Sequence, residues 1–242
     1  MNGDLYRIYV YLAATPLLGL TITLVAYQAA AWVYGRSGQH PLLNPVLVSV
    51  AIIVAVLAGT GLDYRTYFDG AQFVHFLLGP VTVALAVPLH RELAQIRRAA
   101  VPVLVAVTLG SLTAIGSAAG IAWALGASGQ MIASLAPKSA TAPVAMSLSE
   151  QLGGLPSLTA VLAVLTGITG ALCGRALLDL VRIRDWRAHG LGVGVASHGI
   201  GTARTLQVNE TGGAFAGLGF ALNAIATAVL LPLMFVLIGS PG

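Results

Sequence analysis

Two cationic residues stand inside stretches that otherwise look membrane-embedded. Lys138 lies between two prolines in the segment 136–143, which reads APKSATAP, and Arg204 ends the segment 197–204, which reads SHGIGTAR. A charge at bilayer depth costs roughly 2.5–3.5 kcal/mol on insertion scales, so such residues usually face a partner or a solute pathway. Irregular backbone at that depth is tolerated where it lines a cavity. The two residues therefore predict a small-solute site inside a membrane protein.

The proline-flanked segment carries the groups that a small anion needs. Ser139 and Thr141 add hydroxyl donors beside Lys138. Pro137 and Pro143 are expected to break the helix, and a helix that begins after such a turn presents free N–H groups. Together these groups suit a carboxylate. The alternative is that Lys138 extends to the membrane interface while the hydroxyls bond to local backbone.

The glycine-rich segment offers a second half for the same site. Gly199 and Gly201 can unwind the backbone and let a solute approach it closely. Arg204 can bind a carboxylate through two parallel N–H groups. Alternatively, Arg204 pairs with Glu210 further along the chain, and the glycines only permit close helix packing.

Other polar residues complete the candidate site. Ser197, His198 and Thr202 could hydrogen-bond to the solute, and His198 could also carry a proton. A structural role is the alternative for a lone histidine in a helix bundle. Glu150 and Glu210 are candidates for coupling transport to protons, unless coupling is absent. Asn223, within the last apolar segment, is interpreted as a hydrogen-bonding residue between helices.

Composition places the chain in a membrane. Of its 242 residues, 57% are hydrophobic and only 8% are charged, and the mean hydropathy is +0.88. A soluble domain usually has about 25% charged residues, whereas several runs here reach the roughly 20 apolar residues of a transmembrane helix. We predict an all-α, polytopic integral membrane protein. The net charge of +4 lies in short loops, where it sets topology rather than binding nucleic acid.

Eight apolar segments organise the chain, and we expect about six to eight transmembrane or re-entrant segments in one membrane domain, residues 1–242. The first is expected to be a retained helix rather than a signal peptide. A further helix break is expected at Gly79 and Pro80. The segments are 9–34, 42–62, 72–90, 99–125, 129–149, 155–181, 190–206 and 213–239.

Basic loops predict an orientation, because loops rich in arginine stay in the cytoplasm. The last three segments then run opposite to the second, third and fourth, which is the parity of an inverted repeat with halves 9–125 and 129–239. This parity requires 129–149 to enter and leave on the outer side, as a re-entrant or hairpin element. The cytoplasmic loops carry Arg36, then Arg91, Arg97 and Arg98, then Arg182, Arg184 and Arg187.

Enzyme signatures are absent from the sequence. There is no Gly-x-Ser-x-Gly, no P-loop and no His/Cys cluster with metal-ligand spacing. Ser197 and His198 are neighbours along the chain, so their side chains point apart and do not form a catalytic dyad. We expect no enzymatic activity, no metal and no cofactor.

Five stretches closely resemble the LrgB/CidB family of bacterial membrane proteins, which also covers one half of the plant plastidial glycolate/glycerate translocator. The resemblance extends over about residues 17–238. This chain departs from the family at Ala140 and Ala142, where relatives tend to have Val and Thr, and the lost hydroxyl bears on solute selectivity. The matching stretches are PLLNP (41–45), TYFDGAQF (66–73), LLGPVTVALAVPL (77–89), LAPKSATAPVAM (135–146) and SHGIGTAR (197–204).

The resemblance implies two functions. One is transport of small organic acids such as glycolate, glycerate or pyruvate, often with a small LrgA/CidA-like membrane partner. The other is a holin/antiholin-like role that modulates murein hydrolase activity and autolysis. Charged residues beside broken helices favour a carrier that works by alternating access. We expect a multi-pass protein of the bacterial inner membrane, surrounded by lipid, with a small carboxylate as solute and a homo-oligomeric state.

Overall fold

A computed structural model describes residues 17–38, 43–77, 80, 83–84 and 86–238, and in these ranges the chain is helical with no strand. Gly79 lies outside the described residues, so the break expected at Gly79 and Pro80 stays a prediction. The helices are α1 Leu17–Arg36, α2 Pro45–Thr60, α3 Tyr64–Phe76, α4 Ala86–Arg91, α5 Leu93–Arg98, α6 Ala100–Ala124, α7 Gly129–Leu135, α8 Ala142–Gln151, α9 Pro156–Leu180, α10 Trp186–Val208 and α11 Glu210–Ile238.

Four of these helices are long and apolar enough to cross a membrane. They are α1, α6, α9 and α11, and α2 is a shorter apolar helix. The apolar segments 99–125 and 155–181 agree closely with the bounds of α6 and α9. The predicted class, an all-α polytopic membrane protein, is confirmed.

The chain divides into two compact units, residues 1–84 and 85–242. In the first unit, Thr23 Oγ1 and Tyr67 Oη lie 2.8 Å apart and join α1 to α3. Asn44 caps α2, because its Oδ1 accepts from Val46 N at 2.9 Å. The expected single domain with halves 9–125 and 129–239 stays a prediction.

Helices α6 and α11 of the second unit run side by side in the same direction. Val107 of α6 packs with Phe215 near the start of α11. Ile115, two turns further along α6, packs with Leu231 near the end of α11. This contradicts the expectation that the fourth and the last apolar segments run in opposite directions.

The two arginine-rich segments of this unit, 91–98 and 182–187, lie together at one end, which we call the basic end. The Arg91 guanidinium donates to the Glu210 carboxylate at 2.6 Å, so the loop before α6 lies beside the start of α11. A Cβ on Gly190, near the start of α10, would collide with the carbonyl oxygen of Gly212. The basic end comprises Arg91, Arg97, Arg98, Arg182, Arg184 and Arg187.

Helix α10 folds back on itself at His198. The backbone of His198 leaves the helical region, with φ 42° and ψ −137°. A Cβ on Gly201 would lie only 2.8 Å from Val193 Cγ1. In a continuous helix these two residues would be about 12 Å apart along the axis. The half 199–208 therefore runs back beside the half 186–197.

This geometry changes the expected path of the seventh apolar segment. The break falls at His198 rather than at Gly199 and Gly201. Each half is about 15–18 Å long at 1.5 Å per residue, roughly half of the hydrocarbon thickness of a bilayer. The segment 190–206 is therefore a hairpin that begins and finishes at the basic end. The sequence had predicted a single crossing of the membrane.

A second hairpin enters from the opposite end. Helices α7 and α8 have 7 and 10 residues, about 10 and 15 Å, so neither can span a bilayer. Helix α6 leaves the basic end and α9 returns to it, so both ends of 129–151 lie at the other end. This agrees with the predicted re-entrant element. Pro143 stands in the first turn of α8, where a helix tolerates proline.

Candidate anion-binding cavity

The tips of the two hairpins approach each other beside the middle of α11. At the tip between α7 and α8, the carbonyl oxygen of Ser139 accepts from Asn223 Nδ2 at 2.9 Å. At the other tip, Thr202 lies 4.0 Å from a Cβ built on Gly217. Gly217 and Asn223 are about two turns apart on α11. Two helix breaks that are distant in the sequence thus face one region of the unit.

A cavity of about 780 Å³ extends from these tips between α6, α9 and α10. Lys138 and Ser139 line it from one hairpin, and Ser197 lines it from the other. Most of the remaining wall is aliphatic, and it continues to Leu178 and Ile183 near the basic end. The cavity therefore has a polar region at the tips and an apolar region beyond them.

Lys138 supplies positive charge to the polar region. Its side chain is half-buried, and the turn that holds it is closed by Lys138 N donating to Leu135 O at 3.1 Å and Ala140 N donating to Pro137 O at 2.9 Å. The cavity lining contains no aspartate or glutamate. None of the ion pairs formed among the described residues includes Lys138. Lys138 is also the only lysine of the chain, which makes its ammonium group selectively observable.

Ser197 adds a buried hydroxyl that lacks a partner. The residue is 1% exposed, and its Oγ has no hydrogen bond to any residue in the described part of the chain. A Cβ on Gly170 of α9 would collide with this oxygen, so the glycine makes room for it. Leaving a buried polar group unsatisfied costs about 1–3 kcal/mol. The Ser197 hydroxyl therefore lies against α9 at the cavity wall with its hydrogen-bonding capacity unused.

His198 and Thr202 stabilise the break instead of lining the cavity. His198 Nε2 lies 2.9 Å from the carbonyl oxygen of Ala163, so the ring donates from Nε2 to α9. The ring packs where Gly167 has no side chain. Thr202 Oγ1 donates to the His198 carbonyl at 2.8 Å, one turn back along the second half of α10. The positive φ of His198 is strained for a residue with a side chain, and these contacts hold it.

The other predicted site residues lie elsewhere in this structure. Thr141 is the N-cap residue of α8, and Arg204 is half-buried on the second half of α10. Neither is among the residues that line the cavity. Glu150 is exposed at the end of α8. Glu210, which the sequence analysis gave as an alternative partner for Arg204, forms an ion pair with Arg91.

Asn223 is a positioning residue whose place in the site the sequence did not predict. It is 1% exposed, and while its Nδ2 holds the Ser139 carbonyl, its Oδ1 accepts from Ser111 Oγ of α6 at 2.6 Å. One amide thus fixes the Lys138 turn to α6 and α11. The available signal was a carboxamide in the middle of a helix of 29 residues that is otherwise strongly apolar.

A buried hydroxyl network holds the same hairpin on the start of α9. Thr159 Oγ1 lies 2.9 Å from the carbonyl of Ser134 and 2.7 Å from Ser149 Oγ, and all three residues are fully buried. Ser134 Oγ also accepts from Leu155 N at 2.8 Å. The hairpin is therefore tied down at both short helices, which limits the ways in which Lys138 can move.

The start of α10 is fixed at the basic end. Asp185 caps this helix, because its Oδ1 accepts from Arg187 N at 2.8 Å. Hydrogen bonds from Arg187 lower the pKa of Asp185, so the cap stays ionised at neutral pH. His189 is buried with its Nε2 3.4 Å from Asp179 Oδ1, which joins α10 to α9.

Within the described ranges, no group of three or more His, Cys, Asp or Glu side chains is placed to hold a metal ion. The expected lack of a metal and a cofactor stays a prediction. What the arrangement offers is a fixed cation and hydroxyl groups at the meeting point of two broken helices.

The fold and this cavity define a polytopic helical membrane protein with paired re-entrant hairpins. The model of the LrgB-like family matches residues 23–237, and the chain belongs to that family. Proteins of this family lie in the bacterial inner membrane as multi-pass proteins, and so does this one. No solved structure matches the chain.

Curated relatives align over nearly their whole length. An uncharacterized protein, YwbG of Bacillus subtilis, is 33% identical over 90% of this chain and 96% of its own. The holin-like protein CidB of Staphylococcus epidermidis is 31% identical over 91% of this chain and 96% of its own. The antiholin-like protein LrgB of Bacillus mycoides is 26% identical over 93% of this chain and 98% of its own.

Proposed function

We propose that this protein carries small organic monocarboxylates, of the glycolate, glycerate or pyruvate type, across the inner membrane. The observation that supports this proposal best is that Lys138 and Ser197 line the same cavity. Lys138 forms none of the ion pairs found among the described residues, and Ser197 Oγ is buried without a hydrogen bond there. A carboxylate in the cavity could bind both groups. A pore without selectivity would need neither group.

In this proposal, each group has a defined role. Lys138 neutralises the carboxylate, and Ser197 Oγ and the Ser139 hydroxyl donate hydrogen bonds to its oxygens. The break at His198 lets the second half of α10 move without unfolding the long helices, while hydrogen bonds to α9 and α11 hold the α7–α8 hairpin in place. Alternating access then consists of movement of one hairpin tip relative to the other around the bound anion.

Arg204, Thr141, His198 and Thr202 remain proposed members of the site in another state of the transport cycle. They do not line the present cavity: His198, Thr202 and Arg204 would reach the solute only after the second half of α10 moves, and Thr141 only after the start of α8 moves. Arg204→Ala is expected to abolish uptake while leaving membrane insertion intact. Uptake by Arg204→Lys would show that charge suffices, and loss of uptake would favour bidentate recognition. Normal uptake by Arg204→Ala would remove Arg204 from the site.

The decisive experiment is uptake of labelled glycolate and pyruvate into proteoliposomes that contain this chain alone. Wild type is expected to show saturable uptake, and Lys138→Met is expected to show none. Arg97→Gln removes an exposed cation at the basic end and is the matched control. Uptake by Lys138→Met at the wild-type rate would refute the anion site. If no variant transports, co-reconstitution with an LrgA/CidA-like partner tests whether that partner is required.

The second candidate function is modulation of murein hydrolase activity and autolysis, in the manner of a holin or antiholin. The names of the relatives CidB and LrgB favour this candidate more directly than they favour transport. It acts through oligomer or partner surfaces, so Lys138→Met is expected to retain it. Autolysis rates of cells carrying wild type or Lys138→Met separate the two candidates. Equal rates would show that the effect on autolysis does not depend on transport through the Lys138 site, which favours the modulator.

A further inference from the structure

The cavity is much larger than a two- or three-carbon acid requires. Its volume of about 780 Å³ lies within the roughly 300–1,000 Å³ that houses drug-sized ligands. Along α9 the lining runs from Leu162 to Leu178, about 24 Å at 1.5 Å per residue. A small acid bound at Lys138 and Ser197 would leave most of this length without solute, and the cavity is open at its side here, because Leu165, Thr169 and Gly192 are exposed.

The unused part of the cavity is apolar in a consistent way. From Ser197 towards the basic end, α10 contributes Val195, Gly192, Leu191 and Ala188 to the wall. Across from them lies Leu178, whose Cδ1 is 3.9 Å from a Cβ built on Gly192. This part of the wall carries no hydrogen-bonding side chain.

The threonines that line the cavity from α9 do not alter this character. Thr166 Oγ1 donates to Leu162 O at 2.7 Å, and Thr169 Oγ1 donates to Leu165 O at 2.8 Å. Both hydroxyl protons are therefore committed to the backbone of their own helix. Ser197 is different, since its Oγ has no partner in the part of the chain that the structure describes.

We propose that the preferred solute is an amphiphilic monocarboxylate, whose carboxylate binds at Lys138 and Ser197 and whose hydrocarbon tail lies along Leu191, Gly192 and Leu178. This proposal rests on the proposed carrier function and extends its solute from two- and three-carbon acids to monocarboxylates with a longer hydrocarbon tail. The cavity lining contains one lysine and no aspartate or glutamate, so it favours a ligand with a negatively charged head group. Burial of one methylene group contributes roughly 0.8 kcal/mol to the binding free energy, so each added tail methylene is expected to lower the dissociation constant about fourfold.

A lipid acyl chain is the competing occupant of an apolar wall in a membrane protein. It would enter without regard to Lys138, because its own charge lies in the headgroup region. Binding of the amphiphilic acid requires Lys138 and the apolar wall together. The two occupants are therefore separated by asking whether tail binding depends on the ammonium group.

The test uses the full chain, reductively methylated with ¹³C before it is placed in lipid nanodiscs. Lys138 is the only lysine, and its resonance is assigned by its absence from Lys138→Met. Methylation of the lysine keeps its positive charge. Glycolate, propionate, hexanoate and octanoate are titrated against the dimethyl-lysine resonance, with octanol as a tail without a charge. Dissociation constants are expected to fall about fourfold per methylene along the unbranched series. Octanol is expected to leave the resonance unchanged.

Variants test the head and the tail separately. Gly192→Leu fills the apolar part and is expected to weaken octanoate about tenfold more than glycolate. Gly120→Leu makes the same change on α6, away from the cavity and in open space, and is the matched control. Octanoate binding to Lys138→Met is measured by competition with radiolabelled octanoate, and Lys138→Arg controls for folding because it keeps the charge.

Each outcome is decisive. A chain-length series with equal dissociation constants would overturn the tail proposal and leave the anion site intact. No response to any acid would refute the anion site and the tail proposal together. Octanoate binding that survives Lys138→Met, or equal binding of octanol, would identify a lipid groove and overturn the tail proposal.

Discussion

Asn223 shows how one buried amide can position a charged residue that it does not touch. It holds the Ser139 carbonyl at 2.9 Å and accepts from Ser111 Oγ at 2.6 Å. Lys138 is the neighbour of Ser139, so the direction of the lysine side chain depends on this amide. An apolar residue in place of Asn223 would leave a buried carbonyl and a buried hydroxyl unsatisfied.

We therefore predict that Asn223→Ala lowers the free energy of unfolding by about 2–4 kcal/mol, from lost hydrogen bonds and an added cavity. Thermal unfolding in detergent measures the change. A double-mutant cycle with Ser111→Ala is expected to give a coupling of at least about 0.5 kcal/mol, because the two side chains are in direct contact. Additive effects would show that the hydrogen bond does not stabilise the protein.

Ser197 is predicted to show the opposite behaviour. Ser197→Ala removes a buried hydroxyl that has no partner, so the unliganded protein is expected to gain about 1 kcal/mol of stability. The same change is expected to weaken binding of a carboxylate about tenfold, because a hydrogen bond to a charged group is lost. Unfolding curves with and without propionate measure both effects. A loss of stability without ligand would mean that the hydroxyl has a structural partner.

Among the elements, the pair formed by α10 and α11 depends most on small residues. A Cβ on Gly194 would collide with the backbone carbonyl of Ala216, and one on Gly190 would collide with that of Gly212. The backbones touch at these points, as in membrane helices that pair through glycines four residues apart. This contact keeps the first half of α10 against α11 while the second half folds back.

Gly194→Ala is therefore expected to destabilise the second unit by several kcal/mol, because neither backbone can retreat without separating the helices. Gly192→Ala is the matched control on the same helix, where the nearest atom is 3.9 Å away. It is expected to be neutral or to stabilise by up to about 1 kcal/mol, since alanine is the better helix former. Similar melting temperatures for the two variants would contradict the close packing of these helices.

The elements also show what the sequence could and could not predict. The bounds of α6 and α9 follow from uninterrupted apolar runs, which are local information. The break near Lys138 follows from Pro137 in the same way. The fold at His198 does not, because its position depends on Ala163 as an acceptor and on the space that Gly167 leaves on another helix.

The sequence also could not predict which distant segments come together. Lys138 and Ser197 share a cavity only because α9 and α10 place Gly170 beside Ser197. Arg204 follows Ser197 closely in the sequence, yet it does not line that cavity, because the chain reverses between them. Proximity along the chain predicted one site for 197–204, and the fold divides it between the cavity and the second half of α10.

For the whole molecule, the two hairpins predict an experimentally accessible topology. Because arginine-rich loops stay in the cytoplasm, we expect residues 126–128 to face outwards and the 181–185 loop to face the cytoplasm. In a Cys173→Ser background, Ala127→Cys is expected to react with an impermeant maleimide added to intact spheroplasts. Arg184→Cys is expected to react only after permeabilisation. Labelling of Ala127→Cys from the inside alone would reverse the assignment of the hairpins.

The solitary ammonium group at the hairpin tip also has an electrical consequence. In the proposed transport cycle, the loaded site is neutral, because one lysine cancels one carboxylate, whereas the empty site carries a positive charge. Moving an elementary charge through a potential of 100 mV changes its energy by about 2.3 kcal/mol. An interior-negative potential would therefore favour the unloaded carrier with its site facing the cytoplasm. The movement of the loaded carrier would not depend on voltage.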